Sequence, residues 1–189
     1  CDCLNTSFVA ILDLNTGKEI RRIERDDVAT WSTPCIVTVG GKSQIVCNGY
    51  KQISAYDFET GEVVWTLSNG GDVPVPTPFS AHGLIYITNS HLRSPTIAIS
   101  TRAKGKLKLP KDQEIPIGIE WYEPRSGSYM PTPIVVGDLF YNCNDRGVLS
   151  VREASTGKLV YKKRISASSQ NFTASAIASG DHVYFSGEN

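Results

Sequence analysis

The 189-residue sequence predicts an all-β protein, a β-propeller of four-stranded antiparallel blades forming a partial ring of about four blades. The first observation behind this is an eleven-residue pattern, A-x-D-x-x-T-G-x-x-x-W, complete at residues 55–65. It recurs in weakened form at residues 11–21, keeping Asp13, Thr16 and Gly17, and at 151–161, keeping Thr156 and Gly157 with Tyr161 in the tryptophan's place. The glycines at 17, 61 and 157 are 44 and 96 residues apart, the second step being twice 48, and a degenerate copy around residues 98–105 fills the gap. The second observation is a marker on the same beat: Thr33-Pro34, Thr77-Pro78 and Thr132-Pro133, with Thr173-Ala174 as a worn fourth. The third is alternation of apolar and polar residues over short runs broken by Gly, Asn and Asp, the signature of strands and turns.

Taken in order, the chain opens on a partial blade at residues 7–25, holding the third and fourth strands of a unit at 7–14 and 18–24. Blades at 31–68, 76–124 and 130–164 follow, each beginning near its Thr-Pro or Thr-Pro-like marker. In the last of these, strands are expected at 130–136, 139–143, 148–153 and 158–163, with turns at Gly137-Asp138 and Asp145-Arg146-Gly147. A second partial blade at 171–189 supplies two first strands, 172–178 and 182–186.

The Thr-Gly pair has a mechanical job here. An Asp can fold its carboxylate onto the turn's backbone N–H groups, and Gly accepts the positive φ of a tight hairpin or bulge. The large residue at motif position eleven then covers the seam between neighbouring blades. The residues expected to dock blades are therefore Asp13, Gly17, Ala55, Asp57, Gly61, Trp65, Gly157 and Tyr161.

The spacing A-x-D-x-x-T-G-x-x-x-W, followed by a Thr-Pro strand, resembles the repeats of PQQ-like propellers. That group contains quinoprotein alcohol dehydrogenases and the propeller lipoprotein of the outer-membrane β-barrel assembly machinery. The resemblance covers almost the whole chain and implies full rings of seven or eight blades; at 189 residues this sequence is expected as a segment cut from a longer protein, the alternative being a self-closing ring whose last half-blade is completed by the N-terminal strands. It also implies a bacterial periplasmic or otherwise extracytoplasmic setting. The motif records how blades join and leaves the ligand open.

The enzymes of that group resemble one another in a vicinal disulfide over the quinone, a calcium held by Glu, Asn and Asp, a catalytic Asp and a tryptophan under the cofactor. This sequence has no Cys-Cys pair, and Trp31, Trp65 and Trp121 are explicable as blade residues. The expectation is a non-catalytic scaffold that binds a protein partner through loops or the axial funnel, with no cofactor. The alternative is a fragment of a PQQ- and calcium-dependent alcohol dehydrogenase, and a third class is the sensor ectodomain of a membrane kinase or transporter.

Lys+Arg and Asp+Glu each number 19, so no charge excess recommends nucleic acid. No apolar run approaches the ~20 residues of a membrane helix. His82, His91 and His182 stand in no metal-ligand spacing, and His82 and His182 occupy similar places near a blade's first hairpin. Five cysteines are expected as buried free thiols in the main. A two-residue turn at Gly40-Gly41 puts Cys35 and Cys47 on opposite faces, whereas a three-residue loop sets them across from one another. An N-terminal Cys1 could suggest lipidation, but a strand begins within a few residues. The third repeat carries an insertion between Gly105 and Trp121, locally basic through Arg102, Lys104, Lys106, Lys108 and Lys111, with Asp112 and Glu114 following. It is expected as a lengthened hairpin connection on the surface, where binding loops usually sit.

Overall fold

Short β-branched and aromatic runs closed by Gly-containing turns give this chain strands and tight hairpins. The computed structural model describes residues 2–3, 6–91, 94–111, 114–166 and 170–188. Cys1 and Asp112 lie outside the described residues, and with them the readings placed on them. No helix occurs among the described residues.

The strands group in sequence order. β1 (Ser7–Leu12) and β2 (Glu19–Arg25) form a two-stranded sheet. β3 (Cys35–Val39), β4 (Lys42–Cys47), β5 (Gln52–Asp57) and β6 (Val63–Ser68) form the second blade. β7 (Phe79–Ala81), β8 (Leu84–Thr88), β9 (Thr96–Ser100) and β11 (Ile119–Glu123) form the third, with β10 (Gly105–Leu107) leaving it between its last two strands. β12 (Ile134–Val136), β13 (Leu139–Cys143), β14 (Val148–Glu153) and β15 (Leu159–Arg164) form the fourth, and β16 (Ile177–Ser179) with β17 (His182–Tyr184) closes the described chain.

The first strands are shorter than the sequence suggests. β12 begins at Ile134 instead of residue 130, because Pro131 and Pro133 have no N–H to give a ladder. β16 likewise starts at Ile177.

The insertion departs most from expectation. β10 runs parallel to β6 of the preceding blade, pairing Gly105 with Trp65, Lys106 with Thr66 and Leu107 with Leu67. A segment read as a surface connection is thus a fifth strand on the second blade. Leu107 explains it, since pairing here buries that side chain in the cluster containing Trp65, Ile87, Ile97, Ala103 and Ile119.

Apolar clusters sit between consecutive blades. Val9, Ile23, Ile45, Cys47 and Tyr56 fill the first seam, and Tyr86, Ala98, Trp121, Phe140 and Ala154 fill the third. Ahead of the first strands, the Thr77 N–H donates to Thr132 Oγ1 at 3.0 Å and the Thr132 N–H to Ser175 Oγ at 3.1 Å. Two of the Thr-Pro markers thereby link successive blades.

Candidate functional site

Three outer hairpins have the same construction. Gly17, Gly61 and Gly157 have φ of +68°, +77° and +72°, and their N–H groups donate to the backbone carbonyls of Asp13, Asp57 and Glu153. Asp13 Oδ1 accepts from Asn15 N, Thr16 N and Thr16 Oγ1 at 3.1, 2.8 and 2.7 Å. Asp57 Oδ1 accepts from the N–H groups of Glu59 and Thr60, both at 2.9 Å. These bonds stabilise the charged form, so both carboxyls lie below their ordinary pKa. The chief cause is the Thr16 hydroxyl for Asp13 and the Thr60 N–H for Asp57.

Motif position one pairs with position eleven in every unit: Ile11 with Arg21, Ala55 with Trp65, Ala98 with Trp121, and Val151 with Tyr161. A register shift adjoins each pair. This identifies Trp121 as position eleven of the third unit, a residue absent from the docking set drawn from the sequence. Counted from Ala98, position eleven would be Lys108, and the insertion moves it 13 residues on. A backward count finds it, because Trp65 stands 12 residues before Thr77 and Trp121 stands 11 before Thr132.

Position eleven of one unit lies on the Thr-Gly turn of the next. A Cβ on Gly157 would lie 2.5 Å from Trp121 Cδ2, so only glycine lets the indole approach. Trp121 Nε1 donates to the Ala154 carbonyl at 2.8 Å, and Tyr86 Oη donates to the same oxygen at 3.0 Å. Burial pushes the Tyr86 phenol up to about 12, keeping it a donor at neutral pH. At the first seam Arg21 takes this place, with its Cδ 3.3 Å from a Cβ built on Gly61 and its Nη1 donating to Thr60 O at 3.0 Å.

Trp65 and Tyr161 differ from that arrangement. Trp65 is fully buried opposite Ala55, but its Nε1 has no hydrogen-bond partner among the described residues. The third unit has Ala103-Lys104 where the others have Thr-Gly, and β10 lies beside Trp65 instead. Tyr161 is 41% exposed, and among the described residues only β16 and β17 follow its blade.

A second polar joint lies where the first unit meets the second. Arg25, with its side chain 3% exposed, bonds Asp2 Oδ1 at 2.8 Å, Asp27 Oδ2 at 3.2 Å and Tyr56 Oη at 3.0 Å. Burial disfavours its charge, yet the bond to Asp2 prevails and the guanidinium pKa is raised. Asp27 Oδ1 also accepts from the N–H groups of Val28, Tyr50 and Lys51. Asp2, Arg25, Asp27 and Tyr56 are thereby held in one hydrogen-bonded network.

Groups of three or more His, Cys, Asp or Glu able to hold a metal do not occur among the described residues. His82 sits in the β7–β8 turn with Nε2 2.8 Å from the Gly137 carbonyl, and His91 lies beside the Tyr129 ring. The Gly40-Gly41 turn pairs Val39 with Lys42, so Cys35 and Cys47 face opposite sides. Cys35, Cys47 and Cys143 are free thiols raised by burial to about 12, 11 and 11, whereas Cys3 is exposed.

A groove of about 600 Å³ between the second and third blades is lined by Lys42, Gln44, Asp57, Glu62, Arg102 and Lys104, among others. Its mixed charges give no field of one sign. Beyond it, the insertion exposes Lys106, Lys108 and Lys111, and Ile115 and Ile117 are 46% and 98% exposed. Among the described residues no helix is long and apolar enough to cross a membrane.

Comparison with known proteins agrees with this architecture. The structure of BamB from Moraxella catarrhalis is similar at a TM-score of 0.58 and 15% identity, over 96% of this chain and 56% of that one. Dihydro-heme d1 dehydrogenase NirN, solved in complex with DHE, gives 0.54 and 12% over 81% and 32%. Hsv2 from Kluyveromyces lactis gives 0.52 and 16% over 86% and 46%. At such identities the likeness is one of fold, and this chain spans about half the length of these proteins or less. No curated protein matches the sequence. The family model described as outer membrane protein assembly factor BamB matches residues 5–189, and the chain belongs to that family of PQQ-like propellers.

Proposed function

We propose that this chain is a non-catalytic propeller scaffold that holds a protein partner in the bacterial cell envelope, on the periplasmic side, without a bound cofactor. The observation that carries this reading is the insertion. A strand docked on a rigid blade holds out a basic segment ending in Ile115 and Ile117, and Ile117 is almost wholly exposed. Two apolar side chains beside exposed lysines offer another protein both an apolar and a charged contact. The family's description as an assembly factor supports the same reading. The seams serve as tryptophan-docking joints that keep the scaffold rigid.

A photo-crosslinking residue at Ile117 tests the proposal in intact cell envelopes. A discrete protein adduct is expected from Ile117 and none from a control position at Glu59. With the probe kept at position 117, Ile115→Ser should weaken the adduct without moving the melting curve. Titration with PQQ and calcium, followed by quinone absorbance and dye reduction, should give neither saturable binding nor turnover. Saturable micromolar binding with turnover would reverse the assignment in favour of the dehydrogenase.

A further inference from the structure

Two Asn-Gly dipeptides occur in the sequence, Asn48-Gly49 and Asn69-Gly70. At this dipeptide an asparagine side chain is open to attack by its own backbone, because glycine has no Cβ to shield the nitrogen or restrict its approach. The fold treats the two in opposite ways.

Asn48 follows β4 and is buried. Its Nδ2 donates to the Pro76 carbonyl at 3.1 Å and to Asn89 Oδ1 at 2.9 Å, and its Oδ1 accepts from Asn89 Nδ2 at 2.9 Å. Gly49 is equally fixed. A Cβ there would collide with Asp27 Oδ2 and the Gln52 carbonyl, and the N–H groups of Tyr50 and Lys51 donate to Asp27 Oδ1. Both the side-chain amide and the neighbouring backbone are held, so reaction at Asn48 must wait for local opening of the seam.

Asn69 follows β6 and is exposed, and among the described residues nothing hydrogen-bonds its side chain. Its φ is +63°, and His82 is the one other described non-glycine residue with a positive φ. Asparagine and aspartate enter this left-handed region more readily than other side chains.

We propose that Asn69 is a self-modifying site, converted to aspartate and isoaspartate through the backbone nitrogen of Gly70, while burial keeps Asn48 intact. A base takes the Gly70 N–H proton, the nitrogen bonds to Asn69 Cγ, and Nδ2 leaves as ammonia, which closes a succinimide ring. Water then opens the ring. Addition at Cγ breaks the new bond to nitrogen and gives aspartate. Addition at the main-chain carbonyl carbon breaks the original peptide bond and gives isoaspartate, whose backbone runs through Cβ and Cγ. A water is consumed, an ammonia is released, and nothing is oxidised or reduced.

Either product places a carboxylate at a groove of about 550 Å³ that Leu107, Lys108, Leu109 and Lys111 of the insertion also line. The formal net charge, zero before, becomes negative by one. The products differ in strain. Aspartate keeps the backbone and suits a positive φ. Isoaspartate adds a methylene to the chain between Ser68, which pairs with Gln52, and Gly70, whose carbonyl accepts from Asn89 Nδ2. Gly70 has no room to move, since a Cβ there would collide with Ile53 Cδ1. The added length is therefore taken up at the Asn48–Asn89 contact between the second and third blades.

Peptide mapping of the folded 189-residue chain, held in warm, mildly alkaline buffer, tests this with fragmentation that separates aspartate from isoaspartate. Asn69 should convert at least about tenfold faster than Asn48, and in denaturant, where neither is protected, the two rates should converge. Asn69→Asp should melt like the unaged chain, whereas the isoaspartate fraction of aged protein should melt lower. Equal rates in the folded chain overturn the proposal, as does a faster Asn48. An Asn69 that stays intact in the folded chain while reacting in denaturant overturns it too. An isoaspartate fraction that melts like Asn69→Asp overturns the strain assigned to the seam.

Discussion

Trp65 and Trp121 hold the same motif position and are buried in different ways. Trp121 uses the intact repeat: its ring lies on Gly157, its N–H on the Ala154 carbonyl, and Tyr86 and Phe140 pack around it. Trp65 faces a unit whose Thr-Gly turn has been lost, and its N–H has no partner among the described residues. A strand from the insertion lies beside it instead, bringing Leu107 into its cluster. A repeat can thus lose the polar half of a joint and keep its apolar half, provided something else excludes water. The energetic difference is one hydrogen bond against one desolvated donor.

The largest expected effects do not separate the two. Trp65→Ala and Trp121→Ala should each lower the unfolding free energy by about 3 to 5 kcal/mol, the usual cost of deleting a large buried aromatic. Denaturant melts check this, and a mild Trp65→Ala would break the claim that its seam is closed.

Gly157→Ala should cost about 2 to 4 kcal/mol, because the new methyl meets the indole in a packed cluster and the backbone φ is positive. Gly17→Ala has the same backbone strain but open space, and about 1 kcal/mol is expected. Equal costs would mean that the close approach of Trp121 contributes nothing. Leu107→Ser should cost about 2 to 3 kcal/mol and should restore solvent quenching to Trp65 but not to Trp121. Fluorescence of single-tryptophan variants reads that selectivity directly.

Phenylalanine sharpens the contrast further. Trp121→Phe loses a hydrogen bond, while Trp65→Phe removes a donor that is unpaired, so Trp65→Phe should be milder by about 1 kcal/mol. The smallest effect belongs to the thiols. Cys35 packs against the Trp65 cluster, and burial raises it from 9.0 to about 12. Its neutral form is favoured in the folded state, so its stabilisation is complete below pH 9 and is lost as pH rises from there towards 12. Cys35→Ala should flatten that alkaline decline in melting temperature.

Much of this was legible because the repeat writes its joints into local sequence. Asp13 and Asp57 announce their turns through short-range chemistry, and the T-G spacing needs no knowledge of the rest of the chain. Trp121 is legible as a blade residue from its place ahead of Thr132, but not as position eleven, since an insertion breaks the count from Ala98. Arg21 gave no signal, because its role is defined by where Gly61 comes to lie. β10 was illegible for a deeper reason: Gly105-Lys106-Leu107 has no periodicity of its own, and its strand geometry is borrowed from the edge of β6. The exposure of Tyr161 likewise depends on what stands opposite, which no local pattern records.

The parallel pairing of β10 with β6 bears on how the chain assembles as it is made. Antiparallel hairpins can form as soon as their turns leave the ribosome, but β6 must wait for a segment 40 residues downstream of Trp65. During that interval the second blade carries an open strand edge and an uncovered indole, the combination that recruits chaperones or invites misassociation. Once Gly105–Leu107 arrives, the second and third blades are tied by the chain crossing between them, and neither can peel away alone. The insertion therefore makes two neighbouring units of the repeat into one cooperative folding block.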